Sequence, residues 1–262
     1  MTEAAHPRTQ RTEGRPAAPA VRLAGVSKAF GARTVLDDVS FEVPTGCGFV
    51  ILGRSGTGKS VTLRLIIGLL APDHGRVFVH GEEVNRLTRA ELSRVRRGVG
   101  FLFQNAALFD SISVGENVAF PLRRHTKLPD GEIRGIALRK LESVGLGREY
   151  DKMPGALSGG MRKRAALARA LALDPRLLLV DEPSAGLDPI TADEIDELLL
   201  NLKRDGGATL IVVTHNIASA KLLGDRLILL HEGRIVAAGT TNELARSGEP
   251  LVRAFLESQH AG

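Results

Sequence analysis

The sequence has few of the residues that form disulfides, zinc sites and base-stacking surfaces. Its 262 residues include one cysteine, Cys47, one tyrosine and no tryptophan. A single cysteine excludes an intrachain disulfide and a zinc site built from several cysteines. It is also consistent with a reducing, cytosolic compartment. Because aromatic side chains are needed to stack on bases and are scarce here, we expect no nucleic-acid partner.

Long hydrophobic runs are also missing. The longest spans residues 65–71 and is interrupted by Gly68, whereas a helix that crosses a bilayer needs about 20 apolar residues. The first 19 residues carry three prolines and no apolar segment, so we expect a disordered tail there and no secretory signal. We expect one ordered domain over residues 20–256, followed by a short tail over 257–262.

Hydrophobic patterning predicts an α/β fold. Alternation at residues 21–23 and 39–43 predicts antiparallel strands. Solid apolar runs, which are typical of strands buried on both faces, occur at 49–52, 177–180 and 210–213. The helical stretch Ala192–Lys203 lies between the last two runs. This order of strand, helix and strand predicts a parallel sheet with right-handed crossovers.

Two further elements are predicted from local signals. A helix is expected from Lys59 to about Leu70, where Pro72 would stop it. A hairpin is expected at Arg76–His80, turning at Gly81.

Residues 105–165 are more polar and are expected to form a helical subdomain. Its clearest helix should run from Gly131 to Val144, with Asp130 as the N-cap.

A glycine-rich segment follows the first apolar run. Its residues, which fit the P-loop pattern, are Gly53, Arg54, Ser55, Gly56, Thr57, Gly58, Lys59 and Ser60. The glycines let backbone N–H groups approach phosphates, and the next helix points its N-terminus at them. Lys59 would add positive charge near the β- and γ-phosphates, and Ser60 would offer a hydroxyl to Mg²⁺. A chance glycine-rich turn is the alternative, but the strand before and the helix after favour nucleotide binding.

Polar residues that follow other apolar segments, at 101–103, 177–180 and 210–213, are expected to complete a hydrolytic site. Asp181 is expected to bind Mg²⁺, and Glu182 to polarise the water that attacks the γ-phosphate. His215 could contact the γ-phosphate, and Gln104 could bridge to the metal or the water. Taken alone, the acidic pair could be a solvated turn and the histidine could be structural.

The segment Leu157–Met161 places Ser158, Gly159 and Gly160 at a helix N-terminus, which looks like a second phosphate site.

Together these motifs resemble the ABC transporter ATPase family over residues 21–256. The resemblance implies the following assignments: Walker A at 53–60, Walker B at 177–182, the Q-loop at Gln104, the signature at 157–161, the D-loop at 184–188 with Asp188, the H-loop at His215, and an adenine-stacking aromatic at Phe30. Val61 stands where many members have threonine, so backbone contacts would serve the α-phosphate there.

The resemblance also implies partners. Two copies would pair head to tail, with the signature of one closing over the ATP of the other. Several features look like the ATPases of Mla and Mce-type lipid transporters: residues 102–111, 117–122 and 250–256, and Met161 in place of the usual glutamine. An integral membrane permease and an Mce-domain substrate-binding protein are therefore expected, with this chain peripheral at the cytoplasmic face of the inner membrane.

A docking surface for the permease is expected at Ala106–Phe120. Leu108, Phe109 and Phe120 are its candidate apolar contacts, although they could equally pack the helical subdomain. The cations Arg162, Lys163, Arg164 and Arg169 follow the signature, and we interpret them as a solvated helix face.

Two other functions remain open at this point. One is the ATPase of an importer for a small polar solute such as an amino acid. The other is a soluble ABC ATPase with no role in transport. A simple P-loop kinase is disfavoured because it would have no use for Leu157–Met161.

Overall fold

The computed structural model describes residues 18–257. All but Ala18 and Pro19 of the expected N-terminal tail, and all but Glu257 of the C-terminal tail, lie outside these residues. Among the described residues, none of the helices has both the length and the apolar character that crossing a bilayer requires.

The described residues form ten strands and nine α-helices. The strands are β1 (Val21–Phe30), β2 (Arg33–Val43), β3 (Gly48–Leu52), β4 (His74–Val79), β5 (Glu82–Glu83), β6 (Val99–Leu102), β7 (Leu177–Asp181), β8 (Thr209–Thr214), β9 (Arg226–His231) and β10 (Arg234–Gly239). The helices are α1 (Lys59–Ile66), α2 (Arg89–Arg97), α3 (Val114–His125), α4 (Asp130–Glu142), α5 (Gly159–Ala170), α6 (Pro189–Gly206), α7 (Ile217–Leu223), α8 (Thr241–Ala245) and α9 (Pro250–Glu257).

The strands form two sheets. An antiparallel sheet has the order β2-β1-β4-β5, and a six-stranded sheet has the order β10-β9-β3-β8-β7-β6. In the second sheet β9, β3, β8, β7 and β6 pair in parallel, and β10 is antiparallel at one edge. The predicted α/β class, the antiparallel strands, the hairpin at Gly81 and the parallel sheet are confirmed.

The parallel strands bring the motifs to one edge of the sheet. Every residue of β3, β7 and β8 is buried, because helices and the antiparallel sheet cover the two faces of the six-stranded sheet. Leu52 at the end of β3 pairs with Thr214, and Asp181 at the end of β7 pairs with Val213. The residues that follow these strands therefore emerge side by side, which is where open α/β sheets bind ligands.

Helix α1 is shorter than predicted. It ends at Ile66, and Gly68 then adopts a positive φ of 66°. The N–H groups of Leu69 and Leu70 both donate to the Arg64 carbonyl. The expectation that the helix reaches Leu70 is wrong, because the left-handed glycine ends it before Pro72 can.

The N-cap predicted for α4 is also wrong. The capping position is Pro129, and no side chain caps the helix there. Asp130 is instead the first helical residue, and its carboxylate accepts a 3.4 Å hydrogen bond from Arg123. The apolar face is as predicted, since Ile133 and Leu141 are buried in the core. The limits of the helical subdomain at 105 and 165 stay a prediction.

Candidate functional site

A cleft of about 480 Å³ opens at the edge of the sheet where β3, β7 and β8 end. The residues predicted from the sequence that line it are Phe30, Arg54, Ser55, Gly56, Gly58, Lys59, Ser60, Val61, Gln104, Glu182 and His215. They come from distant parts of the chain, and the fold brings them together in one place. Asp181 does not line the cleft but accepts a hydrogen bond from the Ser60 hydroxyl, which does.

Tight packing explains two of the glycines in the loop between β3 and α1. Gly58 has a φ of 102°, and a Cβ there would lie 2.8 Å from the Val35 carbonyl oxygen. A Cβ on Gly53 would lie 2.5 Å from the Leu230 carbonyl oxygen. The Thr57 hydroxyl donates to the Arg54 carbonyl at 2.9 Å and closes the turn. The backbone at these positions therefore requires glycine.

Lys59 is held in the centre of the loop. Its side chain is only 5% exposed, and its ammonium donates to the carbonyls of Gly53 at 2.8 Å and Arg54 at 3.0 Å. The same nitrogen lies 3.1 Å from Glu182 Oε1. A buried cation needs such partners, so the structure fixes a positive charge at the base of the cleft.

Ser60 and Asp181 form an oxygen pair beside Lys59. The Ser60 hydroxyl donates to Asp181 Oδ1 at 2.7 Å. Burial raises the pKa of the Asp181 carboxyl, and the Ser60 hydrogen bond partly opposes this. A hydroxyl and a carboxylate are the hard oxygen donors that Mg²⁺ prefers.

Glu182 joins the cation of the loop to the histidine that follows β8. Its Oε1 faces Lys59, and its Oε2 lies 2.8 Å from His215 Nδ1. The residue has a φ of 46°, in the left-handed region, which non-glycine residues seldom adopt and which is frequent at functional sites. Glu182 is buried, whereas His215 is half exposed toward the cleft.

The signature and D-loop residues lie outside this cleft. Ser158 is the exposed N-cap of α5, and its hydroxyl accepts from the Met161 N–H at 3.2 Å. Gly160 is pressed against Thr191, whose Cγ2 would lie 2.3 Å from an added Cβ. Asp188 caps α6 in the same way, accepting from the Thr191 N–H at 3.0 Å. Within one chain, these residues do not line the cleft that contains Lys59.

The interpretation of the signature helix as a solvated face is wrong for two of its four cations. Lys163 is 5% exposed, and its ammonium donates to the carbonyls of Glu182 and Pro183. Arg169 donates to the carbonyls of Ala106 and Ala107. Lys163 is therefore buried, and Arg169 is held against the protein by two backbone carbonyls.

Sequence reasoning missed several residues. Arg33, Val35 and Phe255 also line the cleft. Arg33 lies beyond the β1–β2 turn from Phe30, and its guanidinium is 3.5 Å from the Gly56 carbonyl oxygen. Arg33 is only three residues after Phe30, the adenine-stacking candidate, and this proximity could have indicated that it lines the same cleft. Phe255 lies on α9, and nothing in the sequence around it indicates that it lies near the glycine-rich loop between β3 and α1.

A second cleft of about 340 Å³, here called the Phe109–Phe120 groove, lies on the side of the helical region. Its lining residues are Arg96, Arg97, Val99, Gly100, Phe101, Phe103, Ala107, Phe109, Phe120, Pro121, His125, Arg169, Ala170 and Leu173. Phe109 is 45% exposed and Phe120 46%. Their ring centroids are 5.0 Å apart. Leu108, by contrast, packs against the core and is only partly buried there.

Asn117 holds the loop that presents Phe109. Its side chain is fully buried, accepts from the Phe109 N–H at 2.7 Å and donates to the Phe109 carbonyl at 3.0 Å. It also donates to the Ser113 carbonyl at 3.0 Å. These hydrogen bonds to backbone groups fix the conformation of the loop that contains Phe109. Asn117 begins the stretch 117–122 noted for its resemblance to Mla/Mce-type ATPases, but the sequence did not indicate this role in holding the loop.

The fold and the cleft define a class of protein. A glycine-rich loop follows the buried strand β3 and leads into a helix, and its lysine and serine face acidic residues at the end of β7, two strands away in the same sheet. This is the architecture of P-loop nucleoside triphosphatases. The family model described as ABC transporter matches residues 36–185 of the chain. The chain belongs to the ABC transporter family, as one of its ATPases.

Similar proteins and a similar solved structure agree with this family assignment. The probable ribonucleotide transport ATP-binding protein Mkl of Mycobacterium tuberculosis is 43% identical over 251 residues, covering 96% of this chain and 70% of Mkl. The intermembrane phospholipid transport system ATP-binding protein MlaF of Escherichia coli is 42% identical over 237 residues, covering 90% of this chain and 88% of MlaF. The ATP-binding cassette MJ0796, a dimer bound to ADP and Pi, superposes with a TM-score of 0.79 at 35% identity, covering 84% of this chain and 98% of that one.

Proposed function

We propose that this chain hydrolyses ATP to power lipid transport, of the Mla/Mce type, through a partner permease. The meeting of Lys59, Glu182 and His215 at the base of one cleft carries the hydrolytic part of this proposal. The 42% identity to a phospholipid transport ATPase supports the lipid part.

ATP is held from both ends of the cleft. The N–H groups of the loop from Gly53 to Ser60 surround the phosphates at the N-terminus of α1, and Lys59 neutralises part of their charge. Phe30, which is 48% exposed at the rim, stacks on adenine. Val61 lines the cleft and leaves the α-phosphate to backbone donors.

Mg²⁺ fits the oxygen donors that the chain provides. Ser60, Asp181 and Gln104 would hold it, and it would offset the negative charge of the phosphates. The described residues contain no group of three or more His, Cys, Asp or Glu side chains that could enclose a metal. That agrees with Mg²⁺, which keeps several waters and binds through one or two carboxylates together with substrate phosphates.

Glu182 acts as the general base. Its carboxylate accepts the proton of the attacking water, and its left-handed backbone directs the side chain into the cleft. His215 orients that carboxylate through Nδ1 and faces the γ-phosphate from the other side. Lys59 stabilises the charge that develops on the phosphate oxygens.

A second copy of this chain completes the site. The exposed N-terminus of α5, with Ser158, Gly159 and Gly160, is a phosphate-binding feature that no phosphate of its own subunit reaches. In a head-to-tail homodimer it covers the γ-phosphate of the partner, and Asp188 lies at the same interface. The cassette MJ0796, which was solved as a dimer bound to ADP and Pi, supports the pairing of two copies.

The permease docks in the Phe109–Phe120 groove. Two exposed aromatic rings and a rim of basic residues, Arg96, Arg97 and His125, suit an amphipathic cytoplasmic helix that carries acidic side chains. Docking there would hold the chain at the cytoplasmic face of the inner membrane. An Mce-domain protein would bind the cargo.

Phe109→Asp should detach the chain from its permease without affecting nucleotide binding. The ring is half exposed, so the fold loses little, but a charge in the groove opposes an apolar contact. Retention on immobilised permease in detergent should fall at least about tenfold. Leu222→Asp, at a residue that is 44% exposed and outside the groove, is the matched control. Unchanged retention of Phe109→Asp would remove the groove from the docking role.

The cargo decides between two transport functions. Mkl is named for ribonucleotide transport and MlaF for phospholipid transport, so a polar solute is the second candidate. The test is purification of the intact complex from detergent-solubilised membranes, followed by extraction and mass spectrometry. Co-purified phospholipid and an Mce-domain subunit are expected. A complex without lipid whose ATPase is stimulated by a nucleoside or amino acid would contradict the proposal.

A further inference from the structure

Helix α5 carries a buried cation that the proposed reaction does not use. Lys163 lies two residues after the signature, and its ammonium donates at 2.9 Å to the Glu182 carbonyl and at 2.7 Å to the Pro183 carbonyl. Burial lowers the pKa of Lys163, and the nearby carboxylates of Glu182 and Asp181 oppose this. An interior lysine is costly, so a specific role must offset its cost.

The two carbonyls belong to the strained part of the site. Glu182 is left-handed, with a φ of 46°, and such a conformation persists only when its surroundings hold it. Its N–H is fixed by the Val213 carbonyl at 2.9 Å. Lys163 fixes the carbonyl on the other side of the same residue, so both peptide groups around the Glu182 Cα are held.

The contact is to the backbone and not to the reacting group. The Glu182 carboxylate already has Lys59 and His215 as partners, and no hydrogen bond joins Lys163 to it among the bonds of the described residues. The charge of Lys163 acts on the carboxylate only through space, whereas its hydrogen bonds hold the backbone. What it controls is the direction in which the Glu182 side chain leaves the backbone.

We infer that Lys163 is a positioning residue, which holds Glu182 in its left-handed conformation so that the carboxylate reaches the attacking water. The inference rests on the proposed role of Glu182. It also links two sites, because Lys163 belongs to the helix whose N-terminus covers the partner's ATP. A shift of α5 on nucleotide engagement therefore moves the base of its own subunit.

Lys163→Met tests the inference in the chain bound to its permease. We expect kcat for ATP hydrolysis to fall by about 10- to 100-fold, the effect of misplacing a reactive group, while KM and nucleotide affinity stay within about twofold. Lys163→Arg, which keeps the charge and the donors, should restore most of kcat. Lys163→Gln is smaller and neutral, and its kcat should lie between those of Lys163→Met and Lys163→Arg. It replaces the methionine variant in the test if that variant does not fold.

Two controls separate positioning from general stability. Lys203 also donates to a backbone carbonyl, that of Leu223, far from the cleft, so Lys203→Met should leave kcat unchanged. In a Glu182→Gln background, Lys163→Met should cause no further loss of turnover, because the group that it positions is gone.

The possible results distinguish a failure of the positioning role of Lys163 from a failure of the proposed role of Glu182. A wild-type kcat for Lys163→Met, or a loss shared equally by kcat and nucleotide affinity, overturns the positioning role. An additional loss in the Glu182→Gln background does the same. Full turnover in Glu182→Gln alone would instead overturn the role of Glu182, and the inference with it.

Discussion

Replacing Glu182 by glutamine should reduce ATP turnover by at least about 100-fold, since a general base contributes a factor of roughly 10² to 10⁴. Glutamine has nearly the same shape, so the left-handed backbone and the Lys163 contacts remain. It cannot accept a proton, and it removes the negative charge that faces Lys59 and His215. ATP binding should persist. Phosphate release and nucleotide affinity, measured on the same preparation, check both expectations.

Glu42→Gln is the matched control for this prediction. Glu42 is exposed on β2 and lies outside the residues that line the cleft, so its substitution should leave turnover unchanged. Wild-type turnover in Glu182→Gln would show that another group activates the water.

Replacing Lys59 by alanine should weaken nucleotide binding. Lys59 is the buried ammonium of the loop, and hydrogen bonds to charged groups are worth about 1.5–3 kcal/mol. Affinity for ATP should therefore fall roughly 10- to 150-fold. The variant also leaves the Glu182 carboxylate without its cation, so the thermal midpoint should fall too. Fluorescent nucleotide titration and a thermal melt measure the two effects.

Lys221→Ala provides the control for the loss of a lysine. Lys221 is exposed on α7 and should change neither quantity. If Lys59→Ala binds ATP as tightly as the wild type, the phosphates do not occupy the loop between β3 and α1.

Much of the fold was predictable because its signals are local. The apolar runs at β3, β7 and β8 are long enough to indicate buried strands, and parallel pairing then places Lys59, Glu182 and His215 at one edge. The glycine loop is defined by its own backbone, so its spacing in the sequence predicts its shape. Most of the cleft follows from these two facts.

The parts that could not be predicted depend on contacts across the fold. The end of α1 is set by Gly68, whose positive φ competes with the helical pattern around it. Lys163 and Arg169 look like surface cations in sequence, because nothing local reveals that carbonyls at Glu182 and Ala106 face them. Phe255 reaches the cleft through the packing of α9, which no short motif encodes.

The proposed hydrolytic cycle depends on ATP joining two copies of the chain. The most direct test is the mass of purified Glu182→Gln in solution, measured by light scattering with and without ATP and Mg²⁺. We expect twice the monomer mass with ATP, the monomer mass without it, and loss of the dimer when Ser158 is replaced by arginine. A protein that binds ATP yet keeps the monomer mass under all these conditions would contradict the account.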